Sequence, residues 1–514
     1  MFREVCFYNT ADKNSVVVLK TEDVFFDNEL YDIVKIFFPN EYILNQKQTL
    51  SMDLHNPKLI INVSYIHECQ TASYYQIYAC GGNKSFYFKV CDAGCAECND
   101  HFSNLKNKAF IKKEVKRRLY IILKKFTNTD MPWGSLTGIR PSKIVHSLLD
   151  EGYSIEYAQN YLKDFYFVSS KKAELISEVA LNERIVLERS IENSAALYAG
   201  IPFCPTRCLY CSFTSNPVKA YENLVEQYLY ALEYELSYIS NLICNMGKKL
   251  ESIYIGGGTP TSLTWRQLSR LMKHIAATFD FSDLLEYTVE AGRPDSIDKE
   301  KLKVIKEYGA TRISINPQTM NIKSLQLIGR SHTPDDIKKA FETARQENFN
   351  NINADIIAGL PEEDVEMFAN TLYELNTIKP ESLTVHVMAV KRASILKENV
   401  DKYSLSHYKE VEKMVDMAYS YAKDMGMRPY YLYRQKNMLG NLENVGYSIP
   451  GYESIYNVQI MDERQTIFAA GAGAISKFVF EKENRIERAA NVKNVEEYIK
   501  RIDEMCKRKE FVMK

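Results

Sequence analysis

Three cysteines, Cys204, Cys208 and Cys211, stand within eight residues in the run Ile201-Pro-Phe-Cys-Pro-Thr-Arg-Cys-Leu-Tyr-Cys-Ser-Phe213. Soft thiolates at this spacing can hold three irons of a four-iron, four-sulfur cluster and leave the fourth iron open to a small molecule. Structural zinc usually takes four ligands in paired halves, and no second pair follows close to this loop. A disulfide is disfavoured, because the chain reads as cytosolic, with no signal peptide, and thiols stay reduced there. Simple burial as small apolar residues is the remaining alternative.

The cysteine loop follows directly on an apparent strand, Ala195 to Ile201. Further short apolar runs, at Ser252–Ile255, Glu286–Glu290, Arg312–Asn316, Asn353–Ile357 and Ser382–Val387, alternate with helical stretches. That alternation predicts six parallel strands joined by right-handed helical crossovers, and such barrels carry their working residues at the carboxyl ends of the strands. Polar groups recur at those ends: Gly256-Gly257-Gly258-Thr259 after the second strand, Glu290 after the third, Gln318 after the fourth and Asp355 on the fifth. Arg330 lies in the crossover between the last two. Each alone reads as a turn or capping residue. Together at one rim they suit S-adenosylmethionine (SAM), whose amine, carboxylate and hydroxyls call for backbone carbonyls, a cation and carboxylates or amides.

Around this core the expected fold is α/β, a partial parallel (β/α)6 barrel over 194–390 between two other segments. The first, 1–193, reads as an α+β extension: strand-like at Ser15–Lys20, Leu59–Tyr65 and Ser85–Val90, then helical. Between Phe110 and Phe126, Ile111, Val115, Leu119 and Ile122 recur at helical spacing among many lysines and arginines. A basic amphipathic helix can bind RNA or a membrane surface, but a solvated face is commoner. The last segment, 391–514, reads as a mostly helical cap over the barrel mouth. The chain has 514 residues, with 65 lysines and arginines against 66 aspartates and glutamates, so no net field recruits nucleic acid or lipid. No apolar run approaches the roughly 18 residues needed to span a bilayer, and a cytoplasmic location is expected.

The motifs Tyr198-Ala-Gly-Ile-Pro-Phe-Cys204 through Cys211-Ser-Phe213, Gly256-Gly-Gly-Thr-Pro-Thr261, Glu290, Gln318, Arg330 and Asp355-Ile-Ile-Ala-Gly-Leu-Pro361 resemble those of radical SAM, oxygen-independent coproporphyrinogen III oxidases. Glu443-Asn-Val-Gly-Tyr-Ser-Ile-Pro-Gly451 and Gly471-Ala-Gly-Ala-Ile-Ser476 are most similar to the HemZ-type branch, whose members also have a long N-terminal extension. The resemblance implies a [4Fe–4S] cluster on Cys204, Cys208 and Cys211. It implies SAM contacts at Tyr198, Gly257, Glu290 and Ile475, and a second SAM at Tyr210, Gly258, Thr259, Gln318, Arg330, Asp355 and Ala389. Gln459 matches a cap residue near the substrate. The implied reaction is hydrogen abstraction by a 5′-deoxyadenosyl radical from two propionate β-carbons, followed by loss of carbon dioxide. The porphyrinogen product would be protoporphyrinogen IX, with electrons from a donor such as flavodoxin or ferredoxin. Phe213 stands where the best-studied oxidases have a further cysteine, as it does in the heme-chaperone branch of the superfamily. The chaperones' usual His-Asn and Tyr-Trp pairs are absent, since this chain reads Tyr456-Asn-Val-Gln-Ile460. A heme carrier is therefore the alternative function, and a radical enzyme acting on another tetrapyrrole or on RNA a lesser one.

Cys91-Asp-Ala-Gly-Cys95-Ala-Glu-Cys98 repeats the spacing of the main loop without its flanking motifs. With Cys80 or Cys69 it could hold zinc or an auxiliary cluster; unligated thiols are the alternative. His332 and His386 could face the cavity or could be satisfied core histidines.

Overall fold

The computed structural model describes residues 16–21, 27–39, 41–45, 57–69, 72–91, 108–213, 215–391, 393–436, 438–480, 483 and 485–513. The chain divides into two compact units, Met1–Gly138 with Tyr153–Glu174, and Ile139–Gly152 with Leu175–Lys514.

The first unit is built on strands β1 (Val16–Thr21), β2 (Tyr42–Asn45), β3 (Leu59–Cys69), β4 (Ala72–Gly81) and β5 (Lys84–Cys91), in the order β2-β1-β3-β4-β5. β2, β1 and β3 run parallel, and β3, β4 and β5 antiparallel. Period-two alternation sends Val17, Leu19, Leu59, Ile61, Val63, Ile77, Ala79 and Val90 to one face. There they meet Leu30, Ile33 and Val34 of the helix Asp27–Phe37 and Val115, Leu119 and Ile122 of the helix Lys108–Thr127. The basic residues of the latter helix are partly paired, Lys112 with Glu29 and Lys124 with Asp130, as a solvated face would be. Cys91 lies opposite Tyr74 near the start of β4, whereas Cys80 lies opposite Ser85 near its end. Cys80 thus lies at the opposite end of β4 from the residue that pairs with Cys91, and Cys69 pairs with Ala72. Cys95 and Cys98 lie outside the described residues.

In the second unit the predicted strands appear as β6 (Ser194–Ile201), β9 (Lys249–Gly257), β10 (Glu286–Glu290), β11 (Arg312–Ser314), β12 (Ile352–Ala358) and β13 (Ser382–Val387), adjacent and parallel in that order. Two short strands, β7 (Phe203–Cys204) and β8 (Asn216–Pro217), pair within the cysteine loop. Helices between the parallel strands start on side-chain caps that satisfy their first N–H groups: Thr264, Asp298, Thr333 and Asp364 each accept a backbone N–H.

Packing divides the chain differently from the boundaries expected at 193 and 390. Ile139–Gly152 and the stretch from Leu175 belong with the barrel, tied by a buried His146–Glu183 pair at 2.8 Å and by Asn182 Nδ2 donating to the Pro429 carbonyl at 2.8 Å. Residues 391–514 contribute helices but also five strands: β14 (Arg428–Tyr433), β15 (Asn444–Ser448), β16 (Thr466–Ala470), β17 (Ile475–Phe480) and β18 (Arg485–Ala490). β15 pairs antiparallel with β13, and β16 runs parallel to β6, so these strands continue the barrel sheet at both edges. Their backbone groups find partners in the barrel, which makes this segment part of its wall. The helix Ile455–Asp462 buries Tyr456 and Val458 against β6, β9 and β14 residues.

Candidate active site

One burial pattern runs through the parallel strands. Near the carboxyl end of each, a single inward position is only half-buried: Tyr198 on β6, Tyr254 on β9, Glu290 on β10, Asn316 just after β11, Asp355 on β12 and His386 on β13. Register puts Asp355 beside Thr384, and Ile357 beside His386, on one sheet face. These six residues line the mouth of the barrel, and Tyr198, Tyr254 and Tyr456 form its aromatic floor, with ring centroids 4.6 to 6.4 Å apart.

Tyr254 donates to Glu290 Oε1 at 2.6 Å. Burial pushes the Glu290 carboxyl up to about 7; the bond from Tyr254 opposes this and the neighbouring Asp355 charge adds to it. A carboxylate that costs so much to ionise in place is suited to a cationic ligand such as an ammonium. Across the mouth, Asp355 accepts from Asn353 at 2.7 Å and lies 3.6 Å from His386 Nε2, whose Nδ1 is 3.3 Å from the Tyr433 hydroxyl. Burial alone would raise the Asp355 carboxyl, but His386 and Asn353 hold it below its ordinary value.

The cysteine loop crosses this rim. Cys204 and Cys208 are buried and Cys211 half-buried, and the Cys211 N–H donates to the Cys208 carbonyl at 3.2 Å. Burial pushes the Cys204 thiol up to about 12; Thr259 Oγ1, 3.4 Å from its sulfur, opposes this, Cys211 and Cys208 add to it, and Arg293 opposes it. Sulfurs that shift one another share one electrostatic space, and become ligands when a metal cation replaces their protons. Among the described residues no three His, Cys, Asp or Glu side chains converge to hold a single ion. Three free thiols on one loop are the donor set that a four-iron cube takes, one sulfur at each of three corners. Glycine keeps the approach open: a Cβ at Gly258 would stand 2.5 Å from the Phe203 carbonyl oxygen and 2.9 Å from the Cys204 sulfur. Gly257 has φ +113°, and a Cβ there would meet the Ile201 backbone at 2.9 Å.

Residues 198–375 match the Radical SAM superfamily. The chain is 42% identical over 385 residues to the oxygen-independent coproporphyrinogen-III oxidase-like protein HemZ of Bacillus subtilis, covering 74% of this chain and 77% of that protein. The chain belongs to the radical SAM family of oxygen-independent coproporphyrinogen-III oxidase-like proteins. The heme chaperone HemW of Lactococcus lactis is a further relative, 32% identical over 288 residues, 55% of this chain and 69% of the chaperone. The solved coproporphyrinogen III oxidase HemN of Escherichia coli is similar over 64% of this chain and 73% of that one, at 23% identity and TM-score 0.49. As a radical SAM enzyme the chain uses a [4Fe–4S] cluster and SAM.

The structure brings most of the expected family positions to one rim. Tyr198, Gly257 and Glu290 line the mouth, and Ile475, half exposed, begins β17 just past the turn from β16 at the same end. Of the second set, Gly258 and Thr259 lie against Cys204, and Arg330 contacts Cys208 and Tyr210. Arg330 Nη1 also donates to the carbonyls of Asn316 at 2.5 Å and Gly292 at 3.3 Å, so this guanidinium also braces the rim. Gln318, at φ +68°, bridges β12 through its backbone, and Ala389 is buried beside Met438. Gln459 is placed elsewhere. It is buried and donates to Ser190 at 2.8 Å and to Glu251, near the amino ends of β6 and β9, so its amide is committed far from the cysteines. His332 is a buried partner of Asp295, not a cavity residue. Tyr254 and Tyr433 are the site residues that sequence reasoning missed; for Tyr254 the available signal is period two from Gly256 on the same strand.

Proposed function

We propose that this chain removes carbon dioxide from propionate side chains of coproporphyrinogen III, leaving the vinyl groups of protoporphyrinogen IX. The observation that carries the reading is the ring of six half-buried strand-end residues facing the three-cysteine loop, supported by the HemZ-type relative. When bound, the cluster and SAM supply a 5′-deoxyadenosyl radical, which takes a hydrogen atom from a carbon held near it. Glu290 would hold the SAM ammonium, and Gly257 lets backbone come close to it. Tyr198, Tyr254 and Tyr456 give a flat apolar floor for a macrocycle, and keep water from the reacting carbon. Each propionate loses one hydrogen atom from its β-carbon and then carbon dioxide, and the remaining electron passes to a one-electron acceptor. A second SAM would fall on Tyr210, Gly258 and Asp355, the half-buried members of that set. The donor is a low-potential electron carrier, and the location cytoplasmic; among the described residues no helix is long and apolar enough to cross a membrane.

A heme carrier is the second reading, favoured by the chaperone relative. Against it, Tyr456–Ile460 offers no histidine, and Val458 and Gln459 are buried. The test is anaerobic reconstitution with iron and sulfide, then SAM, reductant and coproporphyrinogen III, with a parallel heme titration. Protoporphyrinogen formation with 5′-deoxyadenosine is expected, and its loss in Cys208→Ser. Tight stoichiometric heme binding without turnover would establish the carrier instead.

A further inference from the structure

The cysteine loop is held from behind by a group outside both sets of family positions. Arg293, only 2% exposed, lies in the loop after β10. Its Nη1 donates to Thr206 Oγ1 at 2.7 Å and to the Thr206 carbonyl at 3.2 Å. The other edge of the guanidinium forks onto one carboxylate, Nε to Asp295 Oδ1 at 3.0 Å and Nη2 to Oδ2 at 2.8 Å. Thr206 sits midway between Cys204 and Cys208, and its own hydroxyl donates to the Gly329 carbonyl at 2.9 Å. Leu209 N–H donates to the Ile328 carbonyl at 3.1 Å, so the loop is stitched to two crossovers at once. His332, with its ring buried, completes the shell at 3.6 Å from Asp295.

We propose that Arg293 is a positioning residue for the cluster loop and, with Asp295, sets the charge that the cluster feels. An Asp–Arg pair two residues apart is ordinarily a turn brace. Here the guanidinium is buried while Asp295 stays partly exposed, and one guanidinium nitrogen is spent on the loop between two cluster ligands, where the buried cation is little screened. Cluster potential depends on nearby charge and hydrogen bonds, because an added electron is stabilised by cations and opposed by anions. The two partners therefore act in opposite directions. Removing Arg293 leaves a carboxylate behind the loop and makes the cluster harder to reduce. Neutralising Asp295 leaves the guanidinium uncompensated and makes it easier. Arg330 and Lys391, on other sides of the loop, stay in place in both variants.

The test is a redox titration of the reconstituted full chain, followed by the EPR signal of the reduced cluster, with iron content and thermal melting measured in parallel and no tetrapyrrole present. Arg293→Met should shift the midpoint potential downward and Asp295→Asn upward, while Arg293→Lys, which keeps the charge and loses the fork, should stay near the native potential with a less uniform EPR line. Should Arg293→Met fail to fold, Asp295→Asn carries the sign test alone. Potentials unchanged in fully loaded variants, with only melting temperature affected, would mean that the pair is a turn brace. Shifts of both variants in the same direction would equally overturn the proposal. Neither outcome depends on which tetrapyrrole the enzyme uses.

Discussion

Replacing Gly258 with alanine should empty the cluster site without unfolding the barrel. The new Cβ would stand 2.5 Å from the Phe203 carbonyl oxygen, where ordinary contact begins at 3.4 Å, a deficit of about 0.9 Å; the Cys204 sulfur is 2.9 Å away. Retreat is blocked by two short backbone bonds, Gly258 N–H to the Ile201 carbonyl and Thr259 N–H to the Phe203 carbonyl, both 2.7 Å. Overpacking of this kind costs about 1–3 kcal/mol. At about 1.4 kcal/mol per tenfold, that shifts the balance between a seated and a displaced cysteine loop by roughly 5- to 150-fold. Iron and sulfide per chain after anaerobic reconstitution, with thermal melting, would read the effect. Gly309→Ala is the control: it has φ +86° but nothing within 4 Å of a Cβ, so it should cost about 1–2 kcal/mol of strain. It lies at the amino end of β11, away from the rim, and should lower the melting temperature while leaving iron loading intact. If Gly258→Ala loads iron as the native chain does, or if both variants lose iron alike, the close-approach argument is wrong.

A carboxyl held at about 7, as Glu290 is before its ligand arrives, is neutral below that pH and charged above it. Affinity for SAM should therefore rise as pH climbs through 7; Glu290→Gln should flatten that profile and weaken binding by about 10- to 150-fold, the worth of a charged hydrogen bond of ~1.5–3 kcal/mol. Equilibrium binding at several pH values checks this, and an unaltered profile in the variant would remove Glu290 from the site. A different buried pair guards the C-terminal helix Ile502–Met513: Lys509 and Glu235 are both wholly buried, Glu235 also accepts from Gly471 N–H at 2.8 Å and Tyr498 at 2.6 Å, and Tyr228 donates to the Gly200 carbonyl at 2.6 Å. Lys509→Met should destabilise the barrel by about 3–5 kcal/mol, because it strands a charge. The double change Glu235→Gln with Lys509→Met should recover part of the loss in a denaturant titration, and a double variant as unstable as the single one would deny the coupling.

The parallel strands, the glycine run and the three-cysteine loop could be read from the chain alone, because each is written in contiguous residues: apolar runs of strand length, punctuation by glycine, and ligand spacing. Glu290 and Asp355 were legible for the same reason, as polar residues closing apolar runs. What the order of residues could not give was which distant groups meet. Residues 391–514 looked like a separate cap because their helices dominate the local signal, yet β15 and β16 are claimed by β13 and β6, whose edges would otherwise leave backbone groups unpaired. Gln459 looked like a cap residue and became a buried partner of Ser190 and Glu251. Arg293 carries no signal of its own in the order of residues; only the fold carries Thr206, 87 residues earlier in the chain, to its guanidinium. Local chemistry is a matter of spacing along the chain, which sequence records, whereas burial and long-range hydrogen bonding exist only once the strands have lined up side by side.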